Sequence, residues 1–297
     1  MMSHLSGRRL TVALGVAVLA VIGAFVVRVG SAAPVRSAGE YVALGDSYAA
    51  GPGIPAATGV PIGCGRSSRD YPSLVFAGAQ FSGFRDVSCG GATISDLTEP
   101  QRTRVGGNPP QLNALTGDVS LVTLTVGGND IGFNLIVSTC LARSRSQPTG
   151  AACQAYFARN GHDVLAQQIA TAAPKLLAVL RQINQRAPRA RVLVVGYPTI
   201  LPASGGGCTE APFSAGDISY LTQVFRSLNA MLEAQADAAG DHYVDTATTS
   251  VGHDLCRAPG IRWVEGLAPD SPAAPFHPNA LGMHNSAAQV LGARLLP

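Results

Sequence analysis

The sequence predicts an α/β fold in which helices cover both faces of a parallel β-sheet, on three observations. Short apolar runs recur along the chain, and the first two stop at turns containing glycine and polar residues. Longer stretches with apolar residues at helical spacing separate these runs, which is the alternation that builds parallel sheets. The chain is 297 residues long and 46% hydrophobic, enough for one large core in a single domain.

The elements follow in order. Tyr41-Val42-Ala43-Leu44 reads as a buried strand ending at Gly45-Asp46-Ser47. Gly51 to Gly65 is rich in glycine and proline and reads as a loop. Tyr71 to Gln80 reads as a helix with Asp70 as its cap. Leu121 to Val126 is a second buried strand, stopped by Gly127-Gly128. The polar stretch from Cys140 to Cys153 reads as a disulfide-closed excursion. His162 to Arg186 has the apolar spacing of a long amphipathic helix, with Pro174 as a kink. Arg191 to Gly196 is a third strand. Ser214 to Ala239 is helical again, and Ser214 with Asp217 has the spacing of a capping box. Tyr243-Val244-Asp245 is a fourth strand, and Asn279 to Leu296 a terminal helix.

The first 33 residues differ from the rest. Arg8 and Arg9 precede an apolar run from Leu10 to Val27, followed by Gly30-Ser31-Ala32-Ala33. A basic head, an apolar middle and a small-residue ending describe a secretory signal peptide cleaved after Ala33, and a retained N-terminal anchor is the alternative. Residues 34–297 would then form one domain outside the cytoplasm. All six cysteines (Cys64, Cys89, Cys140, Cys153, Cys208 and Cys256) follow this segment, and an even count in an exported chain reads as three disulfides. The spacing alone leaves the pairing open. The net charge is only +3 and no basic run occurs, so the sequence carries no footprint of nucleic-acid binding.

Four clusters carry chemistry. Gly45-Asp46-Ser47-Tyr48 follows the first strand and places a serine where a helix N-terminus favours negative charge. Cys89-Gly90-Gly91-Ala92 lets backbone amides approach a ligand closely. Gly127-Gly128-Asn129-Asp130 offers a side-chain amide past the second strand, and Phe276-His277-Pro278-Asn279 holds an imidazole before the last helix. Singly, each reads as a cap, a turn or a surface histidine. Together they supply what acyl transfer needs: a nucleophile, a base and an oxyanion hole.

In this order the four clusters resemble the SGNH hydrolases, or GDSL esterases and lipases, and are closest to the secreted actinobacterial members. Gly45-Asp46-Ser47 matches the nucleophile block, with Tyr48 where the family name has Leu, and Gly91 falls at the oxyanion glycine. Gly128-Asn129-Asp130 matches the asparagine block, and His277 the final histidine. One departure stands out: the family's usual Asp three residues before the histidine is Ala274 here. The resemblance suggests that a main-chain carbonyl at Ala274 orients the imidazole, with Asp270 as the substitute. The latter is disfavoured because Pro272 and Pro275 stiffen the loop. The resemblance further implies a flavodoxin-like three-layer α/β/α fold and nearest-neighbour disulfides, Cys64–Cys89, Cys140–Cys153 and Cys208–Cys256.

The expectation is a secreted, monomeric serine carboxylester hydrolase acting on lipid or acyl esters. Ser47 and His277 would be catalytic, and Ser47, Gly91 and Asn129 would form the oxyanion hole. No cofactor and no metal are expected, and a transient contact with a lipid interface would come through apolar loop residues. Two alternatives use the same fold: a deacetylase of extracellular polysaccharide, and a non-catalytic carbohydrate- or lipid-binding protein. Only Ala274 favours the latter. The G-x-S-x-G elbow of α/β-hydrolases is incomplete at Ala49, and His242, His253 and His284 belong to no metal-ligand motif.

Overall fold

A computed structural model describes residues 39–203 and 208–294. The expected signal segment and the Gly205–Gly207 loop lie outside the described residues. Five parallel strands form the sheet: β1 (Glu40–Gly45), β2 (Phe84–Asp86), β3 (Val119–Thr125), β4 (Arg191–Val195) and β5 (His242–Val244). Their spatial order is β2-β1-β3-β4-β5. This is the flavodoxin-like order, and its direction of winding reverses between β1 and β3. Ligands of open parallel sheets bind beyond the carboxyl ends of the strands at such a reversal.

The strands bury both faces, which explains their nearly continuous apolar runs. On one face Val42, Leu44, Val122, Leu124, Val192 and Val194 pack against α5 (Val164–Arg186) and α6 (Ala215–Ala239). On the other, Tyr41, Ala43, Leu121, Leu193, Val195 and Val244 meet α2 (Tyr71–Ala77) and α7 (Ala280–Arg294). The two faces alternate residue by residue, as the pleat requires. The result is the expected three-layer α/β/α sandwich. Among the described residues no helix is long and apolar enough to cross a membrane.

Side-chain caps set several helix starts. The Asp70 carboxylate accepts from the Ser73 N–H at 2.8 Å, and the Asp163 carboxylate accepts from the Leu165 and Ala166 N–H groups. That cap begins α5 at Val164, two residues later than the spacing suggests, and the helix continues through Pro174. Ser214 caps α6 as expected, but Asp217 does not complete the box. Its buried carboxylate accepts instead from Ser144 Oγ and from the N–H groups of Cys153 and Gln154.

Two elements depart from the sequence reading. The disulfide closes the stretch from Cys140 to Cys153 as expected, but the stretch is partly helical: α3 (Phe133–Ser146) runs into it, α4 (Ala152–Phe157) ends it, and the bridge staples the two helices. The buried stripe of α3 is narrow (Phe133, Ile136, Cys140 and Ser144), so its apolar signal is weak. The edge strand β2 is only three residues long and contains Arg85 and Asp86, which gives no apolar run. All three disulfides pair as the family resemblance implies.

Candidate active site

The chain leaves β1 through Gly45, whose φ of +137° has little room for a side chain: a Cβ there would lie 2.3 Å from the Thr125 carbonyl oxygen. The buried Gln111 amide closes the strand end, accepting from Gly45 N–H at 2.7 Å and donating to its carbonyl at 2.9 Å. Asp46 then caps the four-residue helix α1 (Ser47–Ala50) by accepting from Tyr48 N–H. Ser47 is therefore the first residue of that helix, at the carboxyl edge of the sheet. Its own N–H has no intramolecular acceptor among the described residues.

His277 approaches from the loop before α7. Its Nε2 lies 2.8 Å from Ser47 Oγ, and its Nδ1 lies 2.7 Å from the Pro275 carbonyl oxygen. A carbonyl can only accept, so Nδ1 carries the proton and Nε2 accepts from the Ser47 hydroxyl. Burial lowers the affinity of the imidazole for a second proton below its ordinary value, with the Pro275 carbonyl opposing the shift. A serine hydroxyl facing an unprotonated nitrogen on an oriented imidazole is the arrangement that general-base activation requires.

The orienting carbonyl belongs to Pro275, one residue beyond Ala274. The Ala274 carbonyl is occupied by the main-chain N–H of His277 itself, at 3.1 Å. Phe276 causes this offset: it adopts a φ of +62°, a left-handed conformation unusual for a bulky residue, so the chain turns sharply between Pro275 and His277. Asp270 is engaged elsewhere, in an ion pair with the buried Arg262. Arg262 also pairs with Glu265 at 3.3 Å, and Glu265 accepts from Asn279 Nδ2 at 2.7 Å. Main-chain bonds from Glu265 N–H to the His277 carbonyl and from Phe276 N–H to the Glu265 carbonyl lock the histidine loop onto this cluster.

The second and third blocks converge on the same place. The Cys64–Cys89 disulfide and the bond from Gly90 N–H to the Cys64 carbonyl anchor the glycine turn. A Cβ built on Gly90 would lie 4.0 Å from Ser47 Cβ, so the backbone here runs close beside the serine. Gly91 has a φ of +81°, and its N–H has no intramolecular acceptor among the described residues. Asn129 donates one amide hydrogen to the Ala92 carbonyl at 2.9 Å, which leaves its second hydrogen free of that bond. Asp130 accepts from Ile94 N–H, and burial raises its carboxyl to about 6.

Two tyrosines, Tyr48 from the nucleophile block and Tyr197, which no motif singles out, tie these pieces together. Tyr197, just past β4, donates to Asp46 at 2.6 Å and accepts from Gly128 N–H at 2.7 Å. Tyr48 donates to the Phe276 carbonyl at 2.6 Å, and its ring lies 5.0 Å from the His277 ring. Burial pushes the Asp46 carboxyl up to about 7, against the bonds it accepts from Tyr197 and Tyr48. Of the other histidines, His253 stacks on Trp263 at 3.7 Å, away from these contacts. Among the described residues no group of His, Cys, Asp or Glu could hold a metal ion.

Comparison with known proteins gives the family. The model of the GDSL-like lipase/acylhydrolase family matches residues 43–284. Lipase 2 of Streptomyces coelicolor is 37% identical over 249 residues, covering 82% of this chain and 81% of that protein. The crystal structure of phospholipase A1 from Streptomyces albidoflavus superposes with a TM-score of 0.71 at 30% identity, over 86% of this chain and 99% of that one. An extracellular lipase from Streptomyces rimosus gives 0.69, also at 30% identity, over the same shares. With the family's fold, its blocks in order and such relatives along most of its length, the chain belongs to the GDSL-like lipase/acylhydrolase family and is a carboxylic ester hydrolase.

Proposed function

We propose that this protein is an exported serine lipase or esterase that cleaves lipid esters through an acyl-enzyme on Ser47, with His277 as general base. The observation that carries the reading is the relay from Ser47 Oγ to His277 Nε2 at 2.8 Å and from Nδ1 to the Pro275 carbonyl at 2.7 Å. As Ser47 Oγ attacks the ester carbonyl carbon, its proton passes to Nε2. The tetrahedral oxyanion is held by the free N–H groups of Ser47 and Gly91 and by the side-chain amide of Asn129. Collapse breaks the ester C–O bond, and the departing alcohol takes the proton back from Nε2. A water, deprotonated by the same nitrogen, then attacks the acyl-enzyme, and the acid and the free serine are released.

The Pro275 carbonyl fixes the tautomer and accepts from the imidazolium but carries no full charge. The dyad therefore depends more heavily on the oxyanion donors, each typically worth about 3 kcal/mol. Lipid esters are favoured over small acetyl groups by the relatives, named as lipases and a phospholipase A1. The three disulfides support export.

The test is a series of p-nitrophenyl esters from acetate to palmitate, assayed with the oxidised protein and with Ser47→Ala. The reading expects turnover that rises with chain length and falls by about 10⁴-fold or more in the variant. A fluorophosphonate should label Ser47. Turnover retained by Ser47→Ala, or absence of labelling in folded protein, overturns the assignment.

A further inference from the structure

The loop whose base, at Cys64, reaches Ser47 through Gly90 carries an exposed apolar tip that the chemistry above does not use. Val60 is 89% exposed, Ile62 68% and Val105 55%, each far above what a core-forming side chain shows. They come from two loops that touch. Thr103 N–H donates to the Gly106 carbonyl at 3.0 Å, closing a tight turn with Arg104 and Val105 at its tip. A Cβ built on Gly63 would lie 2.6 Å from the Val105 carbonyl oxygen, and one built on Gly106 would lie 3.0 Å from Pro61 Cβ.

The tip is rigidly held. The buried Arg66 guanidinium donates to the carbonyls of Val60 and Ser88, and the Cys64–Cys89 disulfide closes the base. That base adjoins the serine, because Gly90 N–H donates to the Cys64 carbonyl and Gly90 runs beside Ser47. Exposed, preordered aliphatic side chains cost hydration free energy without adding to the core.

The charge at the tip narrows the partner. Arg102 and Arg104 precede Val105 on the two-stranded ribbon that pairs Gln101 and Arg102 with Asn108 and Gly107; both are exposed, and neither has an ion-pair partner among the described residues. Glu99, just before the ribbon, is the nearest exposed acid in sequence. Aliphatic groups at a tip edged by arginines suit an anionic lipid surface, where the apolar groups enter the acyl boundary and the guanidinium groups meet phosphates.

We propose that the Val60–Ile62 turn and the Arg102–Val105 ribbon form a docking surface for an anionic phospholipid bilayer, seating Ser47 at the membrane. The inference rests on the lipid-ester reading only for its purpose, and its test reads binding separately from hydrolysis. Ser47→Ala protein, which leaves vesicles intact, is co-sedimented with phosphatidylcholine vesicles with and without phosphatidylglycerol. Binding should strengthen with phosphatidylglycerol and weaken with salt. Val60→Ser, Ile62→Ser and Val105→Ser together should lower partitioning at least about tenfold on both vesicles. Arg102→Gln with Arg104→Gln should lower it roughly tenfold on the anionic vesicles alone. In the Ser47 background, all these variants should keep wild-type p-nitrophenyl acetate rates, which shows that they fold.

Tryptophan placed by Ile62→Trp should shift its emission to the blue on anionic vesicles. Unchanged partitioning in the triple serine variant overturns the proposal. So does a dimer of the parent protein that those substitutions disperse without any vesicle binding, since the tip would then cover a second copy of the chain. Vesicle binding without ester turnover would uphold the docking surface and remove the hydrolase assignment.

Discussion

At the scale of single residues, His277 is set by the Pro275 carbonyl and two aromatic neighbours, Tyr48 and Phe133. Burial holds the His277 imidazole below its ordinary value, and the proposed general base must be unprotonated to take the serine proton. The acid limb of kcat/KM should therefore fall below the ordinary imidazole pKa of about 6.5. A pH–rate profile on a soluble ester measures it, and a limb above that value would contradict the buried, carbonyl-oriented ring. Tyr48 holds this geometry from beneath. Its hydroxyl satisfies the Phe276 carbonyl in the left-handed turn that aims His277, and no other donor reaches that oxygen among the described residues. Tyr48→Phe should cost about 1–3 kcal/mol of stability by orphaning a buried acceptor. It should lower kcat more than KM, because the ring stays while the aim of His277 loosens. Thermal melts and steady-state kinetics on the variant check both.

At the scale of elements, the site is built by loops from separate strands, and the Cys64–Cys89 bridge anchors the one nearest Ser47. It closes a separation of 25 residues and ends one position before Gly90. Replacing both cysteines by alanine should cost roughly 3 kcal/mol by the loop-entropy model. It should also lower kcat, since the Gly91 N–H, a proposed oxyanion donor, would lose its fixed position. Removing the Cys140–Cys153 pair instead should lower stability and leave kcat near wild type, because that bridge staples α3 to α4. Melting temperatures and kcat values for the two double variants separate a local role from a general one.

What the sequence could tell at this scale follows the same physics. The runs 41–44, 121–126 and 191–196 are legible as strands because both their faces are buried, and the long stripes of α5 and α6 are legible because they are wide. Strand β2 and helix α3 lack a comparable run or stripe. Ser47, Gly91, Asn129 and His277 stand in motifs. Tyr197 meets Asp46 across 151 residues and Gln111 meets Gly45 across 66, pairings that no local pattern encodes. The Pro275 carbonyl has no signature at all, since every residue carries one; only the left-handed turn at Phe276 selects it over Ala274.

For the whole molecule, the consequence is a stability profile tilted toward acid. Burial raises the carboxyls of Asp46 to about 7, Asp70 to about 8, and Asp130 and Asp241 to about 6. Asp86, beside Asp70, is raised as well, so the pair shares a proton where two charges would repel. Unfolded, each of these groups titrates near 3.9. Between about pH 4 and pH 8 the folded chain therefore holds protons that the unfolded chain has released. Stability must fall as pH rises through that window, by up to about 1.4 kcal/mol per pH unit for each carboxyl still protonated only in the folded state. His277 acts in the opposite sense below about pH 6.5, because its lowered value leaves the unfolded chain binding the extra proton. One imidazole against four carboxyl protons, one of them shared by the Asp70–Asp86 pair, leaves the net slope negative. Denaturant melts should therefore give a higher unfolding free energy at pH 5 than at pH 8, and Asp46→Asn should flatten the slope near pH 7. A profile that rises from pH 5 to pH 8 would mean that these carboxyls are ionised in the fold, and that Tyr197 and the Tyr48 N–H stabilise the Asp46 anion more than burial opposes it. The proposed base His277 becomes neutral on the acid side of about pH 6.5, where the fold already weakens with rising pH, so in that range activity and stability move in opposite directions.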